Sequence, residues 1–365
     1  MPATTSAPAS RDGGGSGTHV VAAIRRPYWP SSRPACRPDP AILPGLSATG
    51  SLRSRWHCTA SPFPPTLPDP HAVTELHAGV RTADLPTDGV PILAAATVLI
   101  VDDRPDLKVL TMRRSAASSF VAGHTVFPGG RLDDVDRDPA WTSLVTGLDP
   151  DDADRALSVA DGGLAHWIAA VRETLEEVGL MIGFDDPTLV AQRRSIEGGD
   201  LRFRDALAAA GCRLDLSGMH PVGRWVTPPP SEKRYDTYFF VARAAPGAEP
   251  VADGREAVEV GWIRPVEALE LWQAGEMTLI SPTISMFQRL AGFGSADEVL
   301  AAAAYRAPAV QARVLVDPVH GEGSSLVWWP GDAGYTAPGT RPTMGWMWLP
   351  GPTPPGGPLP AAMMG

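Results

Sequence analysis

The chain of 365 residues has only three cysteines, Cys36, Cys58 and Cys212, and none stands at a metal-binding or disulfide-framework spacing from another. That excludes a cysteine-held zinc centre and a disulfide scaffold, and it makes a reducing, cytoplasmic setting the expectation. Long apolar runs are missing too. The longest, VPILAAATVLIV from Val90, falls well short of the about 20 residues of a membrane span and reads as a buried strand. Positive charge is scarce outside the N-terminal stretch. Residues 1–68 hold seven arginines and no lysine against Asp12 and Asp39, a local +5, so with a formal total of −10 the remainder carries −15. An acidic body argues against nucleic acid as a partner. It suits a protein that holds divalent cations and lets them meet an anionic small molecule.

Proline and glycine are abundant, 39 and 37 residues, and they crowd the two ends. Residues 1–88, with DGGGSG, SSRPACRPDP and SPFPPTLPDP, show no apolar period that could bury a face and read as a disordered extension. Arg25-Arg26 is followed by PYWP rather than an apolar run, which speaks against a twin-arginine export signal. Residues 294–365 form a C-terminal segment whose last part, PGPTPPGGPLPAAMMG, is again low in complexity. Between them, residues 89–293 alternate strand-like and helix-like patterns. PILAAATVLIVD and LKVLTMRR read as strands joined at DDRPD, Ala165 to Gly179 as a helix, and VGRWVTPPP, YDTYFFVARA and AVEVGWIRP as further strands. Such mixing predicts an α/β or α+β domain.

The densest chemistry lies in RETLEE. Glu173, Glu176 and Glu177 stand at i, i+3 and i+4 and share one helix face, where like charges repel by a few tenths of a kcal/mol per pair. Taken alone, such a run reads equally well as a solvated face. Carboxylate oxygens are also hard ligands suited to Mg²⁺ or Mn²⁺, and Arg172 is placed to orient one of them. Divalent ions held this way grip a diphosphate and activate a water beside it. A cation would supply the attraction that the crowded acids lack.

RETLEEVGL resembles the second half of the box of the Nudix hydrolases, G-x5-E-x7-R-E-U-x-E-E-x-G-U with U apolar, and VFPGGRLDDVD resembles its first half, with Gly130 as the opening glycine. Asp136 stands where the first glutamate belongs, with Asp133 and Asp134 as neighbouring candidates, and Thr174 replaces an apolar residue, so its hydroxyl needs a backbone acceptor. The spacer from Asp136 to Arg172 is about 28 residues longer than the expected seven, an insertion placed at residues 137–164. An interrupted box resembles the peroxisomal acyl-coenzyme A diphosphatases and their bacterial relatives, as do RRSAASSFVAGHTVFPGG and GRWVTPPPSEKRYDTYFFVA on either side. The resemblance implies a Nudix-type α/β/α sandwich with a mixed sheet. It implies Glu173, Glu176 and Glu177 as metal ligands with the Gly130 carbonyl, Arg172 as orienting residue, and Mg²⁺ or Mn²⁺ as cofactor. The activity implied is hydrolysis of a diphosphate linkage in a small molecule by a monomer or homodimer with no membrane partner.

Outside the box, Glu259 is the candidate general base, against the alternative of an outward-facing strand carboxylate shared by its neighbour Glu256. Arg113, Arg114, Lys233 and Arg234 are candidates for substrate phosphates, or else charges balancing an acidic surface. An arginine expected in coenzyme A-type relatives near Ser119 is absent. His124, His166 and His220 read as structural, and the tryptophans 328, 329, 346 and 348 as packing. DPDDAD from Asp149 lacks the glycine and the terminal glutamate of a calcium loop. The rival activities are hydrolysis of ADP-ribose, dinucleotides or nucleoside triphosphates, and a catalytically silent ligand sensor. Isomerisation of isopentenyl diphosphate would need a cysteine near the motif.

Overall fold

The computed structural model describes residues 89–351 apart from 119, 184–186, 228–230, 232, 317–324, 331–334 and 336–340. The extension expected over residues 1–88 lies outside the described residues, as does the chain beyond 351.

Strand β1 (Ile92–Asp103) turns back through DRPD into β2 (Leu107–Arg114), with the Arg104 N–H donating to the Asp106 carbonyl at 2.8 Å. Short strands β3 (Thr125–Val126) and β4 (Gly129–Arg131) follow, then 3-10 turns at Asp134–Arg137 and Pro139–Ser143. The insertion continues through β5 (Val145–Thr146) and helix α1 (Pro150–Leu157), where the Asp149 side chain accepts from the Asp152 N–H as an N-cap. Helix α2 (Leu164–Val178) carries the acidic run. Three short helices come next, α3 (Pro187–Ala191), α4 (Arg193–Glu197) and α5 (Phe203–Ala209), with β6 (Leu214–Asp215) behind them. Strands β7 (His220–Val226), β8 (Arg234–Arg243) and β9 (Ala257–Ile263) lead to helices α6 (Pro265–Ala274), α7 (Ser281–Leu290) and α8 (Ala296–Tyr305). The described chain closes with β10 (Val310–Val316), β11 (Ser325–Trp328) and β12 (Arg341–Met347).

Among the described residues these strands build a ten-stranded sheet in the order β11-β10-β12-β7-β8-β1-β2-β3, with β4 also on β1 and β9 on β2. The β1–β8 pair is parallel and the other ladders of this sheet are antiparallel. Strand β1 sits in the middle, and its run from Val98 to Val101 is buried on both sides, which is why it reads as an unbroken apolar run. Val98 and Ile100 face a core shared with α1, α2, α4 and α5. Leu99 and Val101 face a second core shared with α6, α7 and α8. The result is the expected α/β/α sandwich around a mixed sheet.

The C-terminal segment completes this sheet. Strand β12 pairs with β7 through Gly345↔Trp225, Trp346↔Arg224 and Met347↔Gly223. Trp346 and Trp348 are buried, and Trp348 stacks on Tyr238 with centroids 6.4 Å apart and planes 7° apart, as packing residues should. Among the described residues, no helix is long and apolar enough to cross a membrane.

Candidate active site

Helix α2 is buried along nearly its whole length, yet it carries Arg172 and three glutamates into that buried setting. It ends where the sequence places a C-cap glycine: Gly179 is left-handed at φ 68° and its N–H donates to the Leu175 carbonyl at 3.0 Å. Thr174 is fully buried, and its hydroxyl donates to the Ala170 carbonyl at 2.7 Å, the acceptor it requires.

Arg172 gathers the site. Its Nε and Nη2 form a two-pronged contact with Asp136 at 2.9 Å each. Its Nη1 donates to Glu173 Oε1 at 2.9 Å and to Glu176 Oε2 at 3.2 Å, while Nη2 also reaches the Arg131 carbonyl at 3.1 Å. Asp136 is buried, and its second task is local: it accepts from the Asp133 N–H at 2.8 Å and closes the 3-10 turn on which it stands.

The glycine pair faces the helix. Gly129 adopts φ 148°, a Cβ there would collide with β1, and its N–H donates to Glu177 Oε2 at 2.8 Å. At Gly130 a Cβ would run into the Glu173 carboxylate, so the missing side chain is the space that carboxylate occupies. Val98 N–H donates to Pro128 O and Leu132 N–H to Ala94 O, so the Ala96–Gly130 pair between them is a hydrogen-bonded one. The Gly130 carbonyl then keeps a second lone pair for a ligand.

Burial raises the carboxyls of this cluster. It pushes Glu173 up to about 7, with Arg172 opposing and the neighbouring Glu176 charge assisting. Glu177 is held well above the usual range by burial and by Glu173, and burial also raises Glu176 against the pull of Arg172. Burial alone would depress Arg172, but its Asp136 hydrogen bonds and the surrounding carboxylates hold it above its ordinary value. The cluster is short of positive charge. Among the described residues, no three His, Cys, Asp or Glu side chains are gathered as a metal cage. Arg172 takes oxygens of Glu173 and Glu176, and Glu177 is turned to Gly129.

The remaining candidates divide by strand alternation. Arg113 pairs with Glu259 at 2.9 Å, on the sheet face away from α2: both side chains are exposed, and Arg113 shares its strand face with Val109 of the second core. The structure therefore does not bring Glu259, the expected general base, or Arg113, an expected phosphate contact, to the carboxylate cluster: both stand on the other side of the sheet. Arg114, one residue on, faces α2. Its Nη1 lies 3.6 Å from Glu177 Oε1 and its Nη2 lies 3.2 Å from Glu256 Oε2. Glu256 is thus the outside carboxylate that the structure brings to the cluster. Lys233 is exposed. Arg234 is fully buried and donates from Nε to the Thr227 carbonyl at 3.0 Å, so it braces the β7–β8 hairpin. His166 is buried edge-on to Tyr238, as a structural histidine would be.

The family model of the NUDT19 Nudix domain matches residues 88–290, a span that holds the glycine pair, the Arg172 hub and Glu256. The chain belongs to the Nudix hydrolases. Among curated proteins it is similar to the acyl-coenzyme A diphosphatase NUDT19 of Homo sapiens, 28% identical over 236 residues, and to that of Xenopus laevis, 25% identical over 238. Each match covers 53% of this chain and 62% of the relative, so the chain spans less than two thirds of the length of these relatives. Among solved structures, a NUDIX hydrolase from Alicyclobacillus acidocaldarius is 29% identical with a TM-score of 0.49, over 58% of this chain and 97% of that one.

Within this Nudix domain the shortened first acid keeps its reach. Asp136 lacks one methylene of the usual glutamate, but the 3-10 turn at Asp134–Arg137 carries its backbone close enough to grip Arg172 with both oxygens. The insertion, though 3-10 and helical in places, is not a loose loop. Trp141, Val145, Ala153 and Leu157 join the core beside α2.

Proposed function

We propose that the chain hydrolyses a diphosphate linkage in a nucleoside-diphosphate-linked small molecule, with coenzyme A or its acyl esters as substrates. Mg²⁺ or Mn²⁺ would be held by Glu173, Glu176, Glu177 and the Gly130 carbonyl. One observation carries the reading: among the described residues, five carboxylates, Asp136, Glu173, Glu176, Glu177 and Glu256, form ion pairs with just two guanidinium groups, those of Arg172 and Arg114. Oxygen donors in negative excess fit a hard divalent cation. Once bound, the ion supplies neutralisation of the diphosphate oxygens and a more acidic bound water.

The side chains of this chain supply the rest. Asp136 holds the Arg172 guanidinium through Nε and Nη2, and Nη1 orients Glu173 and Glu176, two of the residues that would hold the ion. Gly129 holds Glu177 through its N–H. Arg114 faces the cluster with Nη groups able to take a phosphate oxygen. Glu256, exposed beside it, accepts the proton from the attacking water. With a coenzyme A substrate the products are 4′-phosphopantetheine, acylated when the substrate is, and adenosine 3′,5′-bisphosphate. Support for that class comes from the names of the curated relatives and from the interrupted box. The retained carboxylates speak against a silent sensor.

The test is a substrate panel with the full chain in Mg²⁺ and Mn²⁺: coenzyme A, acyl-coenzyme A esters, ADP-ribose, a dinucleoside polyphosphate and nucleoside triphosphates, with products separated chromatographically. Coenzyme A esters are expected to give the highest kcat/KM. A faster reaction with another member would move the substrate class, and no turnover of any member would end the hydrolase reading.

A further inference from the structure

An α-helix leaves its last four carbonyls without partners inside the helix, and α2 carries its glutamates within two turns of that end. Gly179 satisfies the Leu175 carbonyl. The next three carbonyls are satisfied from outside. Arg193, the first residue of α4, donates to the Glu176 carbonyl from Nε at 2.9 Å and from Nη2 at 2.7 Å. The Asp253 N–H takes the Glu177 carbonyl at 3.2 Å, and the Val251 N–H takes the Val178 carbonyl at 2.9 Å. The free arm of Arg193, Nη1, crosses to the Val251 carbonyl at 2.6 Å. One buried guanidinium therefore staples the end of α2 to the segment that begins at Val251.

That segment also delivers Glu256. The Asp253 carboxylate accepts from the Glu256 N–H at 2.9 Å and from the Ala257 N–H at 2.7 Å, and the Gly254 N–H donates to the Ala257 carbonyl at 3.0 Å. The tight turn so formed holds Glu256 on Arg114, and Arg114 on Glu177. Gly179 makes room for the staple: a Cβ on it would lie 2.9 Å from Arg193 Nη1, in addition to the strain of φ 68°.

We propose that Arg193 is a positioning residue for the carboxylate cluster. It fixes the last turn of α2 against the 251–257 segment, and so sets the box glutamates and Glu256 relative to one another. A cation near a helix C-terminus is a common stabiliser through the helix dipole. The distinguishing feature here is the fork, two donors on one carbonyl and a third on a second segment, which the compact ammonium of a lysine cannot reproduce. The proposal rests on the metal-dependent reading above.

The test compares Arg193→Lys with the unaltered full chain. Mn²⁺ affinity measured by the metal alone and kcat on the preferred substrate are each expected to fall about tenfold, the scale seen for partners that orient metal ligands, with KM within about twofold. Amide exchange is expected to quicken at Val251 and Asp253 while β1 and β8 keep their protection. Equal Mn²⁺ affinity and equal kcat in the variant would overturn the proposal, and so would loss of protection in β1 and β8, which would make Arg193 a general fold residue. Arg255→Ala, which breaks an exposed ion pair between Arg255 and Glu197 of the same two segments, is expected to keep the Mn²⁺ affinity; an equal loss there would also overturn the role of the fork. If the unaltered chain binds no Mn²⁺, the metal reading itself fails, a result distinct from any of these.

Discussion

The two faces of the central sheet bury different chemistry. The face under α2 encloses Asp136, His166, Arg172, Glu177 and Arg193, tied by ion pairs and by hydrogen bonds to backbone. The face under α6, α7 and α8 is closed mainly by Leu99, Val101, Val109, Ile284, Met286, Phe287 and Leu290; α7 also buries Arg289 there, over the Trp329 ring, but no buried carboxylate is found on it among the described residues. Removing charge from water is costly unless every group is paired. The fold bears that cost on the side where the acids cluster, and there an apolar core that includes Val98, Ile100, Leu110, Ile168 and Leu175 surrounds the charged groups. Glu256 and Glu259, on or beside one strand, show the division at the scale of three residues. One reaches Arg114 and the acid cluster, and the other pairs with Arg113 on the far side.

This contrast can be broken most strongly at Glu176. Glu176→Gln removes a charge from the cluster and is expected to lower kcat about a thousandfold, roughly 4 kcal/mol of transition-state stabilisation, with little change in Tm. Steady-state kinetics beside a melting curve checks both halves. The opposite face should respond in the opposite sense. Leu290 is fully buried, and Leu290→Ala is expected to cost about 3 kcal/mol in urea unfolding while kcat per folded molecule stays put.

A smaller effect follows from His166. Burial lowers its pKa from the usual value to about 4. Between about 4 and 6.5 the unfolded chain takes up a proton that the folded one refuses, so stability rises with pH and is lost as pH falls through that window. At pH 5 the loss relative to pH 7 is about 2 kcal/mol from this group. Unfolding of the parent and of His166→Gln at both pH values isolates the difference; parallel pH slopes would refute it. Smallest of all is the split between the two strand glutamates. Glu256→Gln is expected to reduce kcat about tenfold and Glu259→Gln to leave it within error, and the reverse order would return the outside carboxylate to the far face.

The sandwich was legible because its signals are local. An apolar run marks β1, spaced carboxylates and a terminal glycine mark α2, and the glycine pair marks the tight approach of β4 to it. What sequence could not assign was geometry set by longer-range pairing. Alternation says that Glu256 and Glu259 point oppositely, but only the register of β9 on β2, with its irregularity between Arg113 and Arg114, says which of them meets α2. The same holds for Arg113 and Arg114. The grip of Asp136 on Arg172 depends on a 3-10 turn that no residue pattern announced. Arg193 carried no signal at all in sequence, since a lone arginine in a polar stretch gains its role only when the ends of α2 and of the 251–257 segment are brought to it. Strand β12 was hidden in a Pro- and Gly-rich tail.

Strand β12 has a consequence for the growing chain. Every residue of the acid cluster has been synthesised by Ala257, yet the outer edge of β7 stays open until Arg341–Met347 has been made. During that interval an unpaired edge strand and the uncovered Trp225 ring are available to other nascent chains. Aggregation during synthesis, more than any defect in chemistry, is the hazard this architecture carries.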